Sequence, residues 1–128
     1  MSDTTQLSDQ SIPERAGKKA EALKEPPAPK RAMAIHAHPD DQEFTVAGTL
    51  AKWARAGCEI VTVCITSGDA GSNEKTHPNM TKLTLARIRE EEQRNACNVL
   101  GVKHVEFLHY SDGTLQPTLE LRRDLTRL

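Results

Sequence analysis

His38, Pro39, Asp40 and Asp41 put one imidazole and two carboxylates into four consecutive residues. His38 and Asp41 lie three apart, so a turn can aim both side chains at one point. Pro39 stiffens that turn by fixing φ near about −65°. Imidazole plus carboxylate is a donor pair suited to zinc or another divalent transition metal. A catalytic zinc ion takes three protein ligands and keeps one position for water. The spare carboxylate is then free to act as a general base. The same residues have a plainer use, in which His38 ends a strand and Asp40 or Asp41 caps the following helix, where aspartate is favoured. The residue types alone leave both uses open.

The surrounding pattern says what would position this group. Residues 31–37 form a short, mostly apolar run without turn residues, as a buried strand does. Residues 42–56 read as a helix, with Phe44, Ala47, Leu50, Ala51 and Ala54 at helical spacing, Trp53 as a packing residue and Gly57 as the stop. Residues 58–66 are β-branched and nearly all apolar, which suits a strand covered on both faces of a parallel sheet. After a polar loop, residues 81–100 read as a long helix with Leu85, Ile88, Ala96, Val99 and Leu100 on its apolar face, closed by Gly101. Residues 102–108 give a third strand, residues 110–114 a turn around Gly113, and Pro117 opens a last helix running to Leu128 without a stop signal. Strands alternating with helices predict a parallel α/β sheet with right-handed crossovers. Sites in such sheets collect at the carboxyl ends of strands, so the loops at 37–41, 67–80 and 110–116 should face one crevice.

Composition removes several other functions. The chain has 128 residues, enough for one domain, and a formal net charge of −1 without a basic stripe. Nucleic-acid binding through phosphate neutralisation is therefore not expected. No apolar run approaches the roughly 18 residues of a membrane span, and no secretory signal is visible, so a cytoplasmic location is expected. Cys58, Cys64 and Cys97 form no CxxC pair and read as small buried hydrophobes. Residues 1–30 carry few apolar groups and end in Pro26, Pro27 and Pro29, which predicts a disordered, proline-rich tail ahead of a domain at 31–128.

The run from Ile35 to Asp41 resembles the AHPDD signature of the LmbE/PIG-L deacetylases, a family acting on N-acetylglucosaminyl inositols and related glycosides. Gly48, Thr49 and Leu50 on the next helix are similar to the family's pattern. The loop from Thr66 to Gly71 resembles its T-x-G-x-x-G, Arg89 with Glu92 and then Leu100-Gly101-Val102 its R-x-x-E and LGV helix, and Tyr110 to Gly113 its Y-x-D-G turn. The likeness covers residues 31–128. It implies a Rossmann-like, three-layer α/β/α fold, of which this chain is expected to hold the N-terminal half. It implies that His38 and Asp41 ligate the metal, that Asp40 is the general base, and that Arg89 and Asp112 take part in substrate recognition, unless they pin helix and loop together. The cofactor it implies is Zn2+, with Fe2+ compatible with the same ligands. The activity it implies is removal of an N-acetyl group from an N-acetylglucosamine-type amino sugar, a small-molecule substrate.

Two departures stand against the family pattern. Gln42 follows the second aspartate where the family usually has glutamate. The family's third ligand, a histidine, comes from a later stretch, and no second His-rich motif of that kind is present here. This motivates a second reading, a catalytically incomplete fragment or pseudoenzyme that binds a sugar, a metal or a partner chain. A third is a metal-dependent phosphoesterase using the same pair. The first strand, central in the family's sheet, is expected at an edge here, where its apolar side invites pairing with another chain, a homo-oligomer included, and makes the chain alone marginal or aggregation-prone. Of the other histidines, His36 shares a strand face with His38 and reads as a core or supporting group. His77 reads as exposed, and His109 is the better substitute ligand of the pair His104 and His109. Consecutive Glu90, Glu91 and Glu92 cannot converge on a helix and read as a solvated face, with Glu92 the exception. Gly68 and Gly71 lack the GxGxxG context of a dinucleotide loop.

Overall fold

The structure, a computed structural model, describes residues 26–72 and 77–128. Most of the expected N-terminal tail, residues 1–25, lies outside the described residues. Three strands, β1 (Arg31–His36), β2 (Glu59–Thr66) and β3 (His104–Tyr110), form one parallel sheet in the order β1-β2-β3. Register runs from Arg31 opposite Glu59 to His36 opposite Cys64, and Thr62 lies opposite Val105. The helices are α1 (Asp41–Thr45), α2 (Ala47–Arg55), α3 (Lys82–Leu100) and α4 (Leu119–Thr126). The expected α/β class with a parallel sheet is what the chain adopts.

Strands that advance in one direction across a sheet through right-handed crossovers carry their connecting helices on one face. Accordingly α2 and α3 touch each other. Alternate side chains of the strands meet them: Leu50, Cys58, Ile60, Cys97 and Val102 form the core, with Ala32, Ala34, Trp53 and Val105 packed against it. The last helix lies on the other side. Leu128, just beyond α4, lines a cavity with Met33 and Val61, which point away from the core, and Tyr110 Oη donates to Asp124 at 2.7 Å. The result is a three-layer sandwich.

Several boundaries differ from the sequence expectation. The helix predicted over residues 42–56 is two helices, interrupted at Val46 (φ −125°, ψ 0°). The interruption leaves Phe44, predicted on the apolar face, 87 % exposed. On α3 the buried positions are Gln93 and Cys97, while Val99 is 86 % exposed. The inward face of α3 is polar as far as Gln93 because that stretch meets the loops at the strand ends, through Arg89 and Gln93, rather than the core. Thr81 and Thr118 cap α3 and α4 by accepting from Thr84 N and Leu121 N. Pro117 thus precedes the last helix instead of opening it. β1 is an edge strand, with Met33 and Ile35 on its outer side near half-exposed.

A candidate active site at the carboxyl ends of the strands

The chain leaves β1 into a tight turn. Asp41 Oδ2 accepts from His38 N at 3.0 Å, and Asp41 N donates back to His38 O at 3.4 Å. This places His38 Nδ1 3.6 Å from Asp41 Oδ2. Asp40, between them, sits in the left-handed region at φ 87° and makes no capping hydrogen bond with its side chain. The helix-capping use of Asp40 is therefore not realised. Its carboxylate is 59 % exposed and projects from a strained backbone position, a feature that clusters at functional sites.

Two residues of α3 hold that turn. Gln93, almost fully buried, accepts from Asp40 N through Oε1 at 2.8 Å. Arg89 donates to Pro39 O at 2.8 Å, to Gly68 O at 2.9 Å and to Asp40 Oδ2 at 3.2 Å. One guanidinium thereby ties the loop after β1 to the loop after β2. Gly68 makes this possible: at φ +64° and beneath Arg89, it has no room for a Cβ. Thr66 fixes the same two loops from below, its N and Oγ1 both donating to Ala37 O.

Asp112 arrives from the loop after β3. It is buried, and both of its oxygens are engaged: Oδ1 lies 2.9 Å from His38 Nε2, and Oδ2 accepts from Ala70 N at 3.0 Å. Burial works against its charge, but the Ala70 N–H and His38 together outweigh it and hold the carboxyl below the usual aspartate range. All three loops predicted to share a crevice thus meet around His38.

A metal implied by the family resemblance can be tested against this geometry. Two donors at about 2.0 Å from a tetrahedral ion stand about 3.3 Å apart, and His38 Nδ1 and Asp41 Oδ2 are 3.6 Å apart. The imidazole and carboxylate thus fit two adjacent positions of one divalent ion. Among the described residues no group of three or more His, Cys, Asp or Glu side chains is arranged to hold a metal. His36 and His109 do not join His38. His109 Nε2 pairs with Glu90 Oε1 at 3.1 Å. His36 is turned toward the core side, where Nε2 has no hydrogen-bond partner and burial lowers the imidazole pKa, opposed in smaller measure by Gln42, Asp41 and Glu43.

Some of the site escaped sequence reasoning. Glu90, expected among solvated acids, is the hub of a second cluster: it accepts from Ser67 Oγ at 2.6 Å and from Arg94 at 3.1 Å, besides pairing with His109. Ser67, Glu90 and His109 of that cluster line a cavity of about 560 Å³ beside Asp69 and Ser111. Glu92 lines a smaller cleft of about 130 Å³ with Asp40 and Arg89. Gln42 is fully buried and donates to Cys97 Sγ at 3.0 Å. The three cysteines are buried and unpaired, as expected, and burial pushes the Cys64 thiol up to about 12. Among the described residues no helix is long and apolar enough to cross a membrane.

Comparison with known proteins bears on this arrangement. The sequence model of the PIG-L family, described as GlcNAc-PI de-N-acetylase, matches residues 33–128. A probable N-acetyl-alpha-D-glucosaminyl L-malate deacetylase 2 of Bacillus anthracis is 33 % identical over 87 residues, covering 68 % of this chain and 38 % of that protein. Among solved structures, an N,N'-diacetylchitobiose deacetylase of Pyrococcus horikoshii is similar with a TM-score of 0.72 and 36 % identity, covering 77 % of this chain and 36 % of the other. A 4-carboxy-2-hydroxymuconate hydratase of Pseudomonas putida KT2440 is similar with a TM-score of 0.70 and 27 % identity, covering 77 % and 41 %. The chain thus spans well under half the length of these relatives.

Proposed function

This chain belongs to the PIG-L family, the GlcNAc-PI de-N-acetylases, and from that premise we propose that it carries the water-activating part of a metal-dependent N-deacetylase acting on N-acetylglucosamine-type amino sugars. The observation that carries the reading is the turn after β1, where His38 Nδ1 and Asp41 Oδ2 stand 3.6 Å apart beside an exposed Asp40 carboxylate. His38 and Asp41 would hold the ion. Zinc suits this donor set, and iron(II) fits it too. When bound, the ion supplies Lewis acidity toward the amide carbonyl.

The other steps belong to the chain. Asp40 takes a proton from the attacking water and delivers it to the departing amine, acting as base and then as acid. Gln93 and Arg89 keep Asp40 in its left-handed turn during both transfers. Arg89, which also lines the cleft beside Asp40, is the candidate sugar contact. The deacetylase names of the relatives support the amide substrate. The likeness to a hydratase supports a broader common step, activation of water, and makes an unsaturated carboxylic acid the competing substrate class.

The test is product analysis with the full chain and added Zn2+. Acetate and free amine from N-acetylglucosamine glycosides, lost on chelation, are the expected outcome. Hydration of an unsaturated acid without acetate release would replace the deacetylase reading. Sugar binding without any turnover would favour the non-catalytic binding module.

A further inference from the structure

Asp112 has a task that substrate recognition does not explain. Its Oδ2 is occupied by the Ala70 N–H, a donor that cannot become an acceptor. Its Oδ1 faces His38 Nε2 at 2.9 Å, and the residue is only 8 % exposed. An ionised carboxylate only accepts hydrogen bonds, so the proton of this contact sits on Nε2. A neutral imidazole carries one N–H. The lone pair is therefore left on Nδ1, the nitrogen beside Asp41 Oδ2. Histidines that bind metals commonly donate their other N–H to a carboxylate in this way.

Resting on the metal reading above, we propose that Asp112 is a positioning residue that fixes His38 in the Nε2–H tautomer and so presents Nδ1, next to Asp41, as a metal donor. Ala70 makes the arrangement sensitive to one atom. In Asp112→Asn the Ala70 N–H demands the amide oxygen, and the amide NH2 is forced toward His38 Nε2. That nitrogen must then accept, the proton moves to Nδ1, and the donor is lost. Asp112→Ala imposes neither tautomer. The isosteric variant is thus the more damaging one, the reverse of what a packing role gives.

The experiment is 15N imidazole NMR of the metal-free chain at a pH where His38 is neutral, together with Zn2+ affinity by chelator competition. Expected are the Nε2–H tautomer in the wild type, Nδ1–H in Asp112→Asn and a mixture in Asp112→Ala. Zinc affinity should fall about 10–100-fold in Asp112→Asn and less in Asp112→Ala. The wild-type spectrum needs no variant, so it decides even where a variant fails to fold. An Nδ1–H wild type, or zinc affinity unchanged in Asp112→Asn with only KM raised, overturns the inference. A wild type with the Nε2–H tautomer but no zinc binding overturns the metal reading and the ligand role with it.

Discussion

Asp40 is the residue whose chemistry is most exposed to test. It is held at φ 87° by contacts from Gln93 and Arg89. Asparagine adopts that region readily, so Asp40→Asn should fold normally and, under the proposed deacetylase reading, leave metal binding by His38 and Asp41 intact. It cannot accept a proton from water. Turnover should fall about 10²–10⁴-fold with the melting temperature little changed. Wild-type turnover in this variant would remove Asp40 from the mechanism. Glu90 gives a second test at this scale. Burial opposes its charge, but hydrogen bonds from Ser67 and Arg94 and the nearby His109 outweigh that, and its pKa is lowered from 4.5. A group with a depressed folded pKa adds stability above its unfolded pKa and loses it as pH falls through the folded value. The melting temperature of Glu90→Gln should therefore lie below wild type at pH 7. The gap should close as pH falls below about 4. A gap that widens in acid would show the cluster to be held by something other than the ionised carboxylate.

At the scale of elements, the loop after β2 is built around one glycine. Gly68→Ala meets both an unfavourable φ and the Arg89 guanidinium, which must shift and release Pro39 and Asp40. A loss of about 1–3 kcal/mol is expected in urea unfolding. Gly48 is the control: it lies in α2 with nothing near its missing Cβ. Gly48→Ala should stabilise by about 0.5–1 kcal/mol. Equal effects at both positions would mean that Arg89 does not depend on Gly68. These elements also mark what was legible in the sequence. The strands, the caps at Gly57 and Gly101 and the meeting of three loops followed from apolar periodicity and turn chemistry. The split at Val46 did not, because Val46 is no breaker and the interruption serves the turn ahead of it. Nor did the inward face of α3, where Arg89, Glu90 and Gln93 take positions that pattern reading reserves for apolar residues. Their partners, Pro39, Gly68, Ser67 and Asp40, lie 21 to 53 residues away, beyond any local signal. The motif found His38, Asp40 and Asp41, but only the fold brings Asp112, 74 residues on, against His38.

For the whole molecule, the informative feature is the asymmetry of the two sheet edges. β3 presents His104, Glu106 and His109, charged or polar groups of the kind that protect an edge. β1 presents Met33 and Ile35, 44 % and 43 % exposed, on the face away from α1, α2 and α3. An edge with unpaired backbone groups and apolar side chains is a template for another strand. A second copy is one occupant such an edge can take: two β1 strands related by a two-fold axis would pair antiparallel and cover each other's apolar residues. The chain is therefore expected to self-associate as its concentration rises, with the sedimentation coefficient increasing accordingly. Ile35→Lys tests this without touching the core, since Ile35 points away from it. Covering one such side chain contributes on the order of 1 kcal/mol per copy, and symmetry counts it twice. The variant should dimerise at least about tenfold more weakly while its monomer melts as before. Unchanged association in Ile35→Lys would move the interface off β1. A wild type that stays monomeric at high concentration would mean that this edge is protected in solution, in spite of its apolar side chains.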